Sequence, residues 1–61
     1  MTPDLVSTGE IAERLNVKPM TVHTWRQRDL GFPEPAWQLL IGPVWKWEPV
    51  EEWAEQTGRL P

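Results

Sequence analysis

Ser7 to Arg28, STGEIAERLNVKPMTVHTWRQR, decides the reading of this chain. Ser7 is a favoured helix N-cap, and Glu10 three residues later completes a capping box. Val6 and Ile11 flank that cap at the spacing of a hydrophobic staple. A first helix therefore starts near Thr8, with Ile11, Ala12 and Leu15 on its buried stripe and Glu10, Glu13 and Arg14 facing water. Asn16 tolerates the left-handed backbone that ends a helix, so the stop falls there. Pro19 suits the first position of a second helix, where its missing N–H costs nothing. Val17, Val22 and Trp25 pin that helix from beneath, and small Ala12 lets the two helices cross closely. The pattern predicts a helix-turn-helix over residues 7–28. Lys18 occupies the cap position of the second helix, and its side chain offers no acceptor to the free N–H groups there. Water or a phosphate would have to accept those bonds.

Downstream, DLGFPEP (29–35) holds one Gly and two Pro and ends the second helix. Leu30 and Phe32 are expected to hook this loop to the core. AWQLL and VWKW, either side of Ile41-Gly42-Pro43, read as a β-hairpin over residues 36–48. Alternation puts Trp37, Leu39 and Ile41 on one face, pairs Trp45 with Trp47, and turns Gln38 and Lys46 the other way. PVEEWAEQTG predicts a last helix over 49–57, with Glu48 as a weak cap, Pro49 first, Val50, Trp53 and Ala54 buried, and Gly58 as a left-handed stop. Residues 1–5 read as a loose lead-in and 59–61 as frayed. Trp25, Trp47 and Trp53 are expected in the core. Trp37 and Trp45 stand between core packing and an exposed role docking a neighbour.

The order is helix, helix, hairpin, helix. A two-stranded hairpin is not stable alone and must pack on the helices. The expected fold is mainly α with a small β-hairpin: a single-domain winged helix-turn-helix. With 61 residues there is no room for a deep catalytic cleft, and such a domain buries only about 60% of its unfolded surface. There is no Cys, so neither a disulfide nor a thiolate is available. His23 has no second His or Cys to complete a metal site. No Gly-rich phosphate loop or nucleophile–base pair occurs. A protein without catalytic activity, cofactor or metal is expected. No run is long enough to span a membrane, and a cytoplasmic location is the default.

The net charge of -3 argues against a polyanionic partner, but its distribution argues the other way. Lys18, Arg26 and Arg28 fall in a stretch without an acid, while Glu48, Glu51, Glu52 and Glu55 fall in one without a base. Local potential matters more for docking than the sum. On the open side of the second helix, Met20, Thr21, His23, Thr24, Gln27 and Arg28 are available, with Arg26 bordering the buried face. Thr21, His23, Thr24 and Gln27 suit base edges, and Lys18, Arg26 and Arg28 suit phosphates, with Lys46 a further candidate.

VKPMTVHTWR, GFPEP, VWKW and PVEEWAEQ, in this order, resemble the small MerR-like winged-helix proteins, in particular the excisionase and AlpA-type regulators. The resemblance covers nearly the whole chain. It implies double-stranded DNA binding in a phage or prophage setting inside a bacterial host, by a protein that directs an integrase toward excision or regulates transcription. Two positions depart from the pattern: the wing tip, Ile41-Gly42-Pro43, carries no base, and Lys18 stands where a capping Ser or Thr is usual. One module buries only about 600–1,000 Å² on DNA, so affinity needs either tandem sites or contacts between protomers, for which Glu51, Glu52 and Glu55, otherwise a solvated helix face, could meet the basic side of the next protomer. An acidic, Trp-rich protein-interaction module is the reading from another class.

Overall fold

Ser7 starts the first helix as its composition dictates, and it also ends a strand. The computed structural model describes residues 4–28 and 30–61. In chain order the elements are β1 (Leu5–Ser7), α1 (Thr8–Arg14), α2 (Pro19–Gln27), β2 (Trp37–Leu39), β3 (Gly42–Lys46) and α3 (Trp47–Gln56). The three strands form one antiparallel sheet in the order β1-β3-β2. The fold is thus mixed α/β, with three helices and a three-stranded sheet, rather than mainly α with a lone hairpin. The missed piece is β1. Leu5, Val6 and Ser7 stand opposite Lys46, Trp45 and Val44, some forty residues away, and no local pattern announces such a pairing. Leu5 therefore leaves the expected lead-in, while Met1–Pro3 and Asp29 lie outside the described residues.

The first helix and its corner form as the sequence predicts. The Ser7 hydroxyl accepts from the Glu10 N–H at 3.3 Å and donates to the Glu10 carboxylate at 3.4 Å. Asn16 takes a left-handed φ of 56°. There the Val17 N–H donates to the Ala12 carbonyl at 2.9 Å and the Asn16 N–H to that of Glu13 at 3.2 Å, which satisfies the last carbonyls of α1. Gly58, at φ 72°, ends α3 in the same way through Arg59 and Ala54.

α3 begins two residues earlier than expected. Trp47, read as the end of a strand by its alternation with Trp45, is the first helical residue, and Lys46 is its N-cap. Pro49 is accommodated because the N–H groups of a first helical turn have no intrahelical partner. Gly42 and Pro43 likewise belong to β3, and the turn is Leu40–Ile41. Pro43 is tolerated in the middle strand because β1 ends at Ser7, opposite Val44, so β3 is paired only to β2 there.

The core joins Val6 from β1, Ile11, Ala12 and Leu15 around α1, Val22 and Trp25 from α2, Trp45 from β3, and Val50, Trp53 and Ala54 from α3. Val17, Phe32 and Trp47 pack against it, half-buried. Trp47 is thus a border residue rather than core. Phe32 is the hub of the aromatic cluster, edge-on to Trp45 and Trp53 at centroid distances of 5.8 and 4.9 Å. The 30–35 loop is tied down by indole donors: Trp45 Nε1 bonds the Pro33 carbonyl at 2.9 Å, and Trp53 Nε1 bonds the Leu30 carbonyl at 3.1 Å. Leu30 holds the loop through its backbone, and its side chain is exposed, contrary to the expected apolar hook. Arg59, expected to fray, stacks on Trp25 and Trp53.

Candidate nucleic-acid interface

α2 is fixed from one side. Val22 and Trp25 are buried, and successive residues rotate by about 100° around the axis. Met20 and Gln27 therefore lie opposite those two residues, with His23 and Thr24 flanking them on either side, and Met20, His23 and Gln27 form an exposed stripe. Thr24 lies beside this stripe, but it is half-buried and its hydroxyl donates to the Met20 carbonyl at 3.0 Å. Thr21 lies further round and is also half-buried. The two threonines that sequence reasoning sets beside His23 and Gln27 are thus less available than those two, and Met20 is more so.

The cations divide. Lys18 and Arg28 are exposed at the two ends of α2. Lys18 makes no side-chain cap bond, and among the described residues no other side chain closes the start of this helix, where the Thr21 N–H donates to the Lys18 carbonyl at 2.9 Å. Arg26 leans toward the sheet, its guanidinium 5.1 Å from the Trp45 ring centroid. It borders a depression with Phe32, Pro33, Glu34 and Pro35. This contact orients Arg26 while leaving its donors exposed. Lys46 stands apart from these three. It lies at the end of β3 away from the Leu40–Ile41 turn, opposite Leu5, in a depression shared with Asp4, Trp47 and Glu48. The sequence could not reveal this, because the position depends on β1.

One further cluster escaped sequence reasoning. Arg14 grips Asp4 with two bonds, Nη1 to Oδ2 at 2.8 Å and Nη2 to Oδ1 at 3.2 Å. The same guanidinium lies 4.9 Å over the Trp47 ring, whose Nε1 donates to Glu51 at 3.1 Å. Hydrogen bonding from Arg14 lowers the Asp4 pKa, and Asp4 raises that of Arg14. This network ties the start of the sheet to α1 and α3 and takes Arg14 out of the pool of free cations.

Among the described residues no group of three or more His, Asp or Glu side chains is placed to hold a metal ion, and no helix is long and apolar enough to cross a membrane. Comparison with protein-family models, with curated proteins and with solved structures gives no match.

Proposed function

We propose that this chain binds double-stranded DNA as a small winged helix-turn-helix protein. In this reading α1 and α2 are the helix-turn-helix, the β2–β3 hairpin is the wing, and α2 enters the major groove. The observation that carries it is the outer surface of α2. Met20, His23 and Gln27 form an exposed stripe, bracketed by Lys18, Arg26 and Arg28, on a helix that carries no acid. Gln27 can bond an adenine edge in two places, and His23 can donate to a base acceptor or a phosphate. At the start of α2 Pro19 has no N–H and the Thr21 N–H donates to the Lys18 carbonyl at 2.9 Å, so the donor on offer beside the Lys18 ammonium is the Met20 N–H, which suits a phosphate oxygen. Architectural action with an integrase, as an excisionase, rests on the family resemblance of the sequence. A transcription regulator would use the same surface.

A salt titration of duplex binding tests the reading. Three neutralised phosphates predict a slope of log affinity against log salt of about -2.7. Arg28→Ala should flatten that slope by about 0.9 on every duplex alike, while Gln27→Ala should relax sequence preference by about 1–3 kcal/mol. A flat response, or no duplex binding at low salt, overturns it. Stimulation of excision by a cognate integrase in a purified reaction distinguishes the excisionase from the regulator.

A further inference from the structure

Arg59 has no role in the surface described above, yet its place is fixed by how α3 stops. Gly58 turns at φ 72° and its N–H donates to the Glu55 carbonyl at 3.2 Å, while the Arg59 N–H donates to the Ala54 carbonyl at 2.7 Å. This is a Schellman stop, in which the residue after the glycine folds back on the last turns of the helix, commonly through an apolar side chain. Here that side chain is an arginine. Its guanidinium carbon lies 4.9 Å from the Trp53 ring centroid and 5.4 Å from that of Trp25. An aliphatic side chain would cover these two indoles as well, so the packing does not require the charge.

The stack brings Arg59 to the C-terminal end of α2. Trp25 is in the last turn of that helix, and Trp53 holds the Leu30 carbonyl just beyond it. Around the axis, Arg26 follows Trp25 by about 100° and Arg28 by about 300°, so the two stand on opposite flanks of the buried face. The Arg26 flank is taken by Trp45, on which Arg26 itself stacks, and by Phe32 beside Trp45. Arg59 stacks instead on Trp25 and Trp53 and joins the flank of Arg28.

We propose that Arg59 contacts a DNA phosphate beside Arg28, on the strand across the groove from the one that Arg26 meets. The proposal rests on the DNA reading above. A helix in the major groove fills it and has a phosphate backbone along each flank. Stacking fixes the plane of a guanidinium and leaves the N–H donors at its edge free to point outward. Among the described residues the one ion pair is that of Arg14 with Asp4, so no carboxylate neutralises Arg28 or Arg59. Arg59 is half-buried, held on its indoles before any partner arrives, so little side-chain freedom is lost on contact.

Salt titrations of duplex binding test it. Arg59→Leu and Arg59→Gln remove the charge, the first keeping an apolar cover on both indoles, and Arg59→Lys keeps the charge. A fourth phosphate contact steepens the wild-type slope of log affinity against log salt from about -2.7 to about -3.6. Both uncharged variants should return it to about -2.7 on every duplex alike, and Arg59→Lys should stay with the wild type. Near-UV circular dichroism, which reads the packing of the indoles, checks that the variants are folded. Uncharged variants with the wild-type slope overturn the contact and leave the DNA reading standing. An equal flattening in Arg59→Lys also overturns it, because the charge is then not the cause. Absence of duplex binding by the wild type at low salt overturns both.

Discussion

The sheet has two edges of equal length that are treated in opposite ways. β1 and β2 are each three residues long, and each pairs with β3. β1 is clamped along its whole length. Its middle residue, Val6, is fully buried, Ser7 runs on as the cap of α1, and the preceding Asp4 is held by Arg14 and by the Trp47 N–H, which donates to the Asp4 carbonyl at 2.9 Å. β2 has no buried residue, and the turn after it is exposed. Strand propensity does not account for this, since WQL is at least as good a strand former as LVS. The difference lies in what covers each strand. The helices pack over the face that Val6 and Trp45 share, and among the described residues Trp37 and Leu39 on the other face stay exposed.

The two hairpin tryptophans give the largest contrast. Trp45 is 1% exposed and Trp37 is 47% exposed. Trp37 stands opposite Val44, the neighbour of Trp45, so the two indoles project from opposite faces of the sheet. Trp45→Ala should cost about 3–5 kcal/mol, close to the whole stability of a domain this size. Trp37→Ala should cost at most about 1 kcal/mol. Urea denaturation at low protein concentration measures both, and equal losses would break the contrast.

The same contrast separates what is legible in the sequence from what is not. Ser7, Asn16, Pro19 and Gly58 act through bonds within a few residues, and each does what its residue type dictates. That Met20 and Gln27 face away from the core follows from helical periodicity, which sets Thr24 as far from the core as His23 and does not show that Thr24 is half-buried. β1 is not legible, because a three-residue strand has too few residues for a period and its partner lies in the hairpin. Without β1 the faces of the hairpin cannot be assigned, so residue order alone does not separate Trp37 from Trp45. The start of α3 is hidden for a related reason: Trp45 and Trp47 alternate as strand residues do, while the chain turns into a helix between them. In the candidate site, the Thr24 bond to Met20 and the Arg26 contact with Trp45 depend on rotamer and tertiary packing, which residue order does not carry.

A smaller contrast comes from the aliphatic residues of the two edges. Val6→Ala removes two buried methyl groups beneath β1 and should cost about 2 kcal/mol. Leu39→Ala, on β2, should stay within about 0.5 kcal/mol when the protein is dilute. If Leu39→Ala proves the costlier of the two, the β2 edge is covered rather than open.

The smallest effect distinguishes the edges by pH. The Arg14 bonds hold the Asp4 carboxyl below its ordinary value of 3.8. A group whose pKa falls on folding stabilises the folded state above its unfolded value, and that contribution is lost as the pH drops through the folded one. Arg14 stays charged throughout this range, since its own pKa moves upward. The ion pair is exposed, so the gain is modest. Asp4→Asn should therefore lower stability slightly at pH 7, and the gap from the wild type should close on acidification from about pH 5 to about pH 2. β2 carries no titratable side chain, so Gln38→Ala should shift stability by the same amount at both ends of that range. Denaturant melts at several pH values compare the two. If Asp4→Asn matches the wild type at every pH, the backbone bond from Trp47, which the substitution leaves intact, rather than the carboxylate, holds β1 in place.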